Sequence, residues 1–318
     1  MKQPKKSKKT GRKRNVQKTL KMNCHPNNTK RISGETCYTP SALIQIRDAY
    51  NKTHVHQITS NKPKTIYKQL RSKLDHCEKE DCWMETIKDP VVKYELDKLL
   101  FAPDSPYEWK KNPNTWLSNY DIRDVLKQYE MSHPHFKLLG PSSIDYDTIL
   151  DDGKCVWQDI CRLELQDLLK RGKRKMGIVF NLDKHYEPGS HWVSVFVDCD
   201  EKFILYYDSA VNSTPKEIKR LIGEIAQQGK ELDTPIDFEV IENKHRHQTT
   251  NSECGMYSLF FIITLLTSKL DKPIYQEIYG GGRTKKLTRQ EKIKIFTEKG
   301  LNDTMMKLYR SIYFNLPI

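Results

Sequence analysis

Four residues of this chain could together carry out acyl transfer: His191, Asp208, Gln248 and Cys254. An imidazole can take the proton of a thiol, and a carboxylate beside it fixes the tautomer and supports the charged form. A side-chain amide can meet an oxyanion. Cys254 follows the polar run Gln248-Thr249-Thr250-Asn251-Ser252-Glu253 and precedes an apolar one that ends near Leu266. It therefore falls at a helix start, where free backbone N–H groups and the helix dipole favour a thiolate. Gly255 beside it lets another chain approach closely. Taken singly, a helix-start cysteine or a histidine heading a strand is more often a packing residue than a catalytic one.

The elements that must position these groups can be read from the same stretch. Residues 192–197 and 203–207 are β-rich and flank the polar turn Asp198-Cys199-Asp200-Glu201-Lys202. A hairpin centred near residue 200 or 201 places His191 opposite residues near 209 or 210. Asp208 then lies on the diagonal, within reach across the strands. Asp198 and Asp200 are alternative partners, but both sit at the far end of the hairpin.

The intervals combine into one pattern. His191-Trp192 is followed seventeen residues on by Asp208-Ser209, and Gln248 stands six residues before Cys254-Gly255. This resembles the superfamily of cysteine peptidases that cleave SUMO and related ubiquitin-like proteins, to which adenovirus-type proteases also belong. The family often has Asp-Cys-Gly where this chain has Glu253-Cys254-Gly255. Trp116-Leu117-Ser118-Asn119 resembles a helix start that precedes the catalytic part in SUMO proteases. The resemblance covers about residues 114–318. It implies an α+β fold, a papain-like peptidase with a mixed central sheet flanked by helices. It also implies Cys254 as nucleophile, His191 as base, Asp208 as orienting acid and Gln248 as oxyanion donor. Trp116 and Trp192 would wall a narrow channel that admits Gly-Gly because a side chain would clash. Neither metal nor cofactor is implied.

The basic N-terminus, the helical part that follows it and the short overall length resemble the branch of large cytoplasmic DNA viruses, including African swine fever virus and giant viruses. That implies a thiol protease that matures core or capsid precursors at Gly-rich cleavage sites. It would act as a monomer in the host cytoplasm and the virion. Rival readings are a protease deconjugating SUMO or ubiquitin, an acetyltransferase with a similar triad, and a silent nucleic-acid-binding protein.

Charge and composition frame these expectations. The chain has 318 residues and a formal net charge of +13. Residues 1–34 hold twelve Lys and Arg and no acidic residue, which leaves 42 basic against 41 acidic side chains for the rest, a net of +1. Residues 1–35 thus read as a solvated basic tail, able to contact nucleic acid through phosphates without reading bases. Residues 36–113 read as a small helical region, with stripes at Leu43, Ile46 and Tyr50 and at Ile66, Leu70 and Leu74, closed by prolines 103, 106 and 113. Residues 114–318 read as the catalytic domain. No apolar run approaches the roughly 20 residues of a membrane span, and no secretory signal heads the chain. The eight cysteines are expected to be reduced in a reducing compartment. His76, Cys77 and Cys82 form a local cluster that lacks the second pair of a zinc site.

Overall fold

The computed structural model describes residues 22–32, 36–281, 283–298 and 300–316. Most of the expected basic tail, residues 1–21 and 33–35, lies outside the described residues. The chain divides into two compact units, residues 22–24 with 28–101, and residues 25–27 with 102–316.

The first unit is helical: α1 (Pro40–Thr53), α2 (Pro63–Lys73) and α3 (Pro90–Leu100), each with proline in its first turn. Proline suits that position because its fixed φ is helical and its missing N–H is not needed there. Thr39 caps α1 by accepting from the Ala42 N–H at 3.2 Å. The stripes of α1 and α2 are buried as their spacing predicts. Trp83 stacks on Tyr38 with ring centres 5.4 Å apart and closes the small core.

Three expectations need correction. First, residues 22–32 are not tail: Met22 is buried, and Asn28 Nδ2 donates to the carbonyls of Cys37 (2.6 Å) and Leu100 (3.1 Å). Second, six of the eight cysteines are paired, Cys24–Cys37, Cys77–Cys82 and Cys155–Cys161, with Cα separations of 5.2, 5.6 and 6.3 Å that a bridge can span. The sulfurs beside His76 are therefore bonded to each other. Third, residues 102–113 group with the second unit. Their tie is local: Asn315 donates to the carbonyls of Ala102 and Pro103 at 2.8 Å each, and Trp109 meets Phe314 edge-on.

The second unit holds, in chain order, α4 (Asn119–Ser132), β1 (Phe136–Ser143), α5 (Gln158–Cys161), α6 (Leu165–Lys170), β2 (Lys175–Asn181), β3 (Trp192–Asp198), β4 (Phe203–Tyr207), α7 (Lys216–Lys230), β5 (Glu239–Glu242), α8 (Cys254–Thr267), α9 (Lys272–Tyr279), α10 (Arg289–Thr297) and α11 (Asp303–Tyr313). The strands form one mixed sheet in the order β1-β2-β3-β4-β5. The outer pairs are parallel and the inner two antiparallel. Both faces are covered, so the central strands are apolar throughout and alternate between two cores. Val193, Val195 and Val197 face the core with α7, while Trp192 and Phe196 face the core with α8. The face of the sheet under α8 stays flat at Gly177: a Cβ there would lie 2.9 Å from both Ile262 Cγ2 and Phe136 Cζ. Among the described residues no single helix is long and apolar enough to cross a membrane.

The apolar stretch 156–169, whose spacing predicts one helix, is broken into α5 and α6. Gln228 fills the gap between them: its Nε2 donates to Leu163 O at 3.0 Å and its Oε1 accepts from Leu165 N–H at 2.7 Å. Strand β1 escaped the sequence because Gly140 and Pro141 interrupt it. At a sheet edge, and at a break in register between Leu139 and Ser142, proline is tolerated.

A truncation series tests the revised boundary. Deleting residues 1–21 should leave thermal unfolding unchanged. Deleting residues 1–34 removes Met22, Asn28 and the Cys24–Cys37 bridge, and should destabilise the first unit by about 3 kcal/mol for a loop of this size. Equal melting curves for the two truncations would return residues 22–32 to the tail.

Candidate active site

The hairpin delivers the first pair of groups. Ser194 pairs with Tyr207 and Asp198 with Phe203, a register that puts Asp208 diagonally across from His191. His191 Nε2 lies 2.6 Å from Asp208 Oδ1. The Asp208 carboxylate also accepts from the N–H groups of Ala210 and Asn212, both at 2.8 Å, and from Asn212 Nδ2 at 2.9 Å. To fold back this tightly the chain puts Val211 at φ 57°, a region a β-branched residue enters only under strain. Asn243, just past β5, grips the Asp208 backbone from the other side: its Oδ1 accepts from Asp208 N–H at 2.9 Å and its Nδ2 donates to Asp208 O at 2.7 Å. Asp198 and Asp200 are engaged elsewhere. Asp198 binds Lys175 at 2.6 Å, and Asp200 is paired with Arg174.

Cys254 is the first residue of α8 and is 1% exposed. Its side chain is near enough to His191 to act on the imidazole. Burial works against charging the imidazole, but the Asp208 carboxylate that accepts from it and Cys254 nearby outweigh that and raise His191 to about 9. Burial likewise opposes ionisation of Asp208, yet His191 and the two backbone N–H donors hold its carboxyl below the usual value. The pair therefore favours imidazolium facing carboxylate.

Gln248 is buried and fixed at both ends of its amide. Ser209 Oγ donates to Gln248 Oε1 at 2.7 Å, and Gln248 Nε2 donates to Thr250 O at 2.6 Å. One Nε2 hydrogen remains for another acceptor. The residue after the aspartate thus sets which way the amide faces, a role that plain loop polarity does not reveal.

The two tryptophans take different places. Trp192 is buried, and its Nε1 donates to Leu117 O at 3.0 Å. Trp116 is 39% exposed. Both line a groove of about 600 Å³ together with Leu117, Trp157, Asn181 and Gly189. Gly255 keeps Cys254 close to this wall, since a Cβ there would come within 3.1 Å of Leu117 Cβ and 3.4 Å of Trp192 Cδ1. All six residues singled out in the sequence lie in this second unit, and a hydrogen bond joins His191 to Asp208. Asn212, Asn243 and Ser209, which support them, carried no motif of their own except the Asp-Ser step.

Residues 177–296 match the Ulp1 protease family, C-terminal catalytic domain. A protein of Acanthamoeba polyphaga mimivirus assigned as a thiol protease is 28% identical over 257 residues, covering 74% of this chain and 81% of that protein. A cysteine protease of African swine fever virus is 29% identical over 232 residues, covering 66% of this chain and 82% of its own length. The same protein from another isolate, named a SUMO-1 cysteine protease, is also 29% identical over 232 residues. The crystal structure of the African swine fever virus protease shares the fold, with a TM-score of 0.62 at 19% identity over 94% of this chain and 97% of that one. Residues 177–296 thus resemble the Ulp1 catalytic domain, and the mixed sheet with flanking helices is the fold the sequence led us to expect.

Two cysteines are free, Cys199 and Cys254, and burial pushes the Cys199 thiol up to about 12. Iodoacetamide at pH 7 should therefore label Cys254 well ahead of Cys199, and His191→Ala should slow Cys254 towards it. Equal rates in the parent protein would show that no partnered thiolate exists.

Proposed function

We propose that this Ulp1-like chain is a cysteine endopeptidase that cleaves after Gly-containing motifs and matures viral core or capsid precursors. The observation that carries it is the 2.6 Å Asp208–His191 pair, with Cys254 acting on the imidazole and standing at a helix N-terminus. Asp208 holds the imidazole, and His191 takes the thiol proton, or the two rest as an ion pair of imidazolium and thiolate. The thiolate of Cys254 attacks the scissile carbonyl, and the free Nε2 hydrogen of Gln248 with the Cys254 backbone N–H receives the oxyanion. His191 then protonates the leaving amine, and water releases the acyl group from the thioester. Trp116 and Trp192 flank the approach, so residues without side chains fit best beside Cys254.

A second reading, removal of SUMO or ubiquitin from conjugates, is favoured by the name of one African swine fever virus relative. The same chemistry would serve an isopeptide bond, and the substrate decides. We place the enzyme as a monomer at cytoplasmic assembly sites and in the particle. The three disulfides favour the particle over the reducing cytosol. Residues 1–34 would meet nucleic acid there through phosphates.

Incubating the enzyme with a Gly-Gly-X peptide library and with SUMO and ubiquitin fusions, read by mass spectrometry, should yield cleavage after glycine in the peptides. Cleavage of the fusions alone would favour the second reading, and no cleavage of either would sink both. Cys254→Ala should lose several orders of magnitude in rate, and Gln248→Ala about 10²-fold in kcat. Because the raised His191 pKa keeps the imidazolium present below about 9, kcat/KM should fall as pH rises through about 9. In Asp208→Asn that alkaline limb should move to lower pH. A limb unmoved by this change would mean that another group supports the imidazole.

A further inference from the structure

We propose that α11 is the positioning element of the site: Asp303 holds the loop that aims Gln248, and Arg310 holds the segment that carries Trp116 to the nucleophile's helix. This rests on the peptidase reading and assigns two residues that its chemistry does not itself require. Asp303 and Arg310 are seven residues apart, two helical turns, and so project from one face of α11. Both are nearly buried, at 7% and 5% exposure.

Asp303 is the first residue of its helix, where the helix dipole favours a carboxylate. Its Oδ2 accepts three hydrogen bonds from the loop that follows Gln248: Thr249 N–H at 3.0 Å, Thr249 Oγ1 at 2.6 Å and Thr250 N–H at 2.8 Å. Its Oδ1 accepts from Tyr257 Oη at 3.2 Å, a residue of α8 one turn beyond Cys254. One carboxylate thus ties the loop to the nucleophile's helix. Thr250, held in this way, offers the carbonyl that takes Gln248 Nε2. With Ser209 on the other end of the amide, the direction of the free Nε2 hydrogen is fixed before any substrate arrives.

Arg310 does the same on the opposite side. Its Nε meets Glu253 Oε2 at 3.0 Å and its Nη2 donates to Ser252 O at 3.1 Å, the two residues before Cys254. Its Nη1 donates to Pro113 O at 3.0 Å and Thr115 O at 3.1 Å, immediately before Trp116. The guanidinium lies 4.4 Å from the Trp109 ring centre. Only a planar fork of donors reaches all four partners, and lysine cannot replace it. A buried ion pair such as Arg310–Glu253 contributes little net stability compared with apolar packing of the same shape. What it supplies here is geometry: a fixed distance between the groove wall and Cys254.

The test uses full-length Asp303→Asn and Arg310→Lys with a cleaved Gly-Gly peptide, with Cys254 alkylation measured in parallel. Asp303→Asn keeps the shape but turns an amide donor towards donors. It should lower kcat by roughly 10²-fold, as a misaimed group does, with KM and Cys254 alkylation within a few-fold of the parent. Arg310→Lys should raise KM about tenfold while kcat falls less, because the Trp116 wall shifts. Parental kcat in Asp303→Asn, or a uniform loss of kcat, KM, alkylation and melting temperature in both variants, overturns the proposal. If Asp303→Asn fails to fold, Thr249→Val at its exposed position removes one of the three bonds, and parental kcat there is equally decisive. A parent that cleaves no peptide refutes the peptidase reading instead. The positioning claim is then read by amide hydrogen exchange, where Asp303→Asn must speed exchange at Thr249 and Thr250.

Discussion

The strand register between β3 and β4 is the constraint on which the site depends. Side chains alternate faces along a strand, so a slip of one residue would turn every one of them over. Here both faces are buried, and a slip would exchange Trp192 and Phe196 with the valines at 193, 195 and 197 between two differently shaped cores. It would also carry Asp208 off the diagonal from His191. The turn pins the register at its far end. Asp198 Oδ1 accepts from the N–H groups of Asp200 and Glu201 at 3.1 and 3.0 Å, while its Oδ2 meets Lys175 on β2. Asp198 therefore supports His191 after all, through the frame of the hairpin and not by contact.

Within that frame, the electrostatics follow from how few donors and acceptors water supplies. His191 and Asp208 are both sheltered, which alone would disfavour charge on each. Mutual pairing reverses both effects, and the backbone N–H groups of Ala210 and Asn212 secure the carboxylate independently of the imidazole. That second support explains the strain accepted at Val211: a left-handed residue costs about 1–3 kcal/mol, and here it curls the chain so that Asn212 returns to Asp208. Asn243 completes the arrangement by gripping the backbone. Because it follows β5, the parallel pairing of β4 with β5 is part of the site's support and not only of the sheet.

The sequence made the central elements legible where periodicity was strong. Strands β3 and β4, α8 and the His191–Asp208 diagonal all follow from local pattern and one turn. What it hid was long-range or conditional. Strand β1 contains a Gly-Pro step that argues against a strand unless an edge and a bulge accommodate it. The break between α5 and α6 depends on Gln228, over sixty residues away. The disulfides are hidden because neither cysteine spacing nor an assumed compartment gives the distances that the fold sets. Ser209, Asp303 and Arg310 belong to no spacing rule, since their partners come together only when the chain is folded.

Glu253 shows how such hidden contacts bear on a visible motif. The family often has aspartate before the catalytic cysteine, and the glutamate here looked like a mild departure. The carboxylate is completely buried and reaches Arg310 Nε at 3.0 Å. An aspartate at the same backbone position is one methylene shorter and would leave a buried guanidinium nitrogen without that partner, or draw α11 inward. Buried donors left unpaired cost about 1–3 kcal/mol, more when charged. The residue before Cys254 and the arginine on the last helix are thus one choice made in two places. The departure from the motif is read most simply as the length needed to meet Arg310 where Arg310 must stand to hold the Trp116 segment.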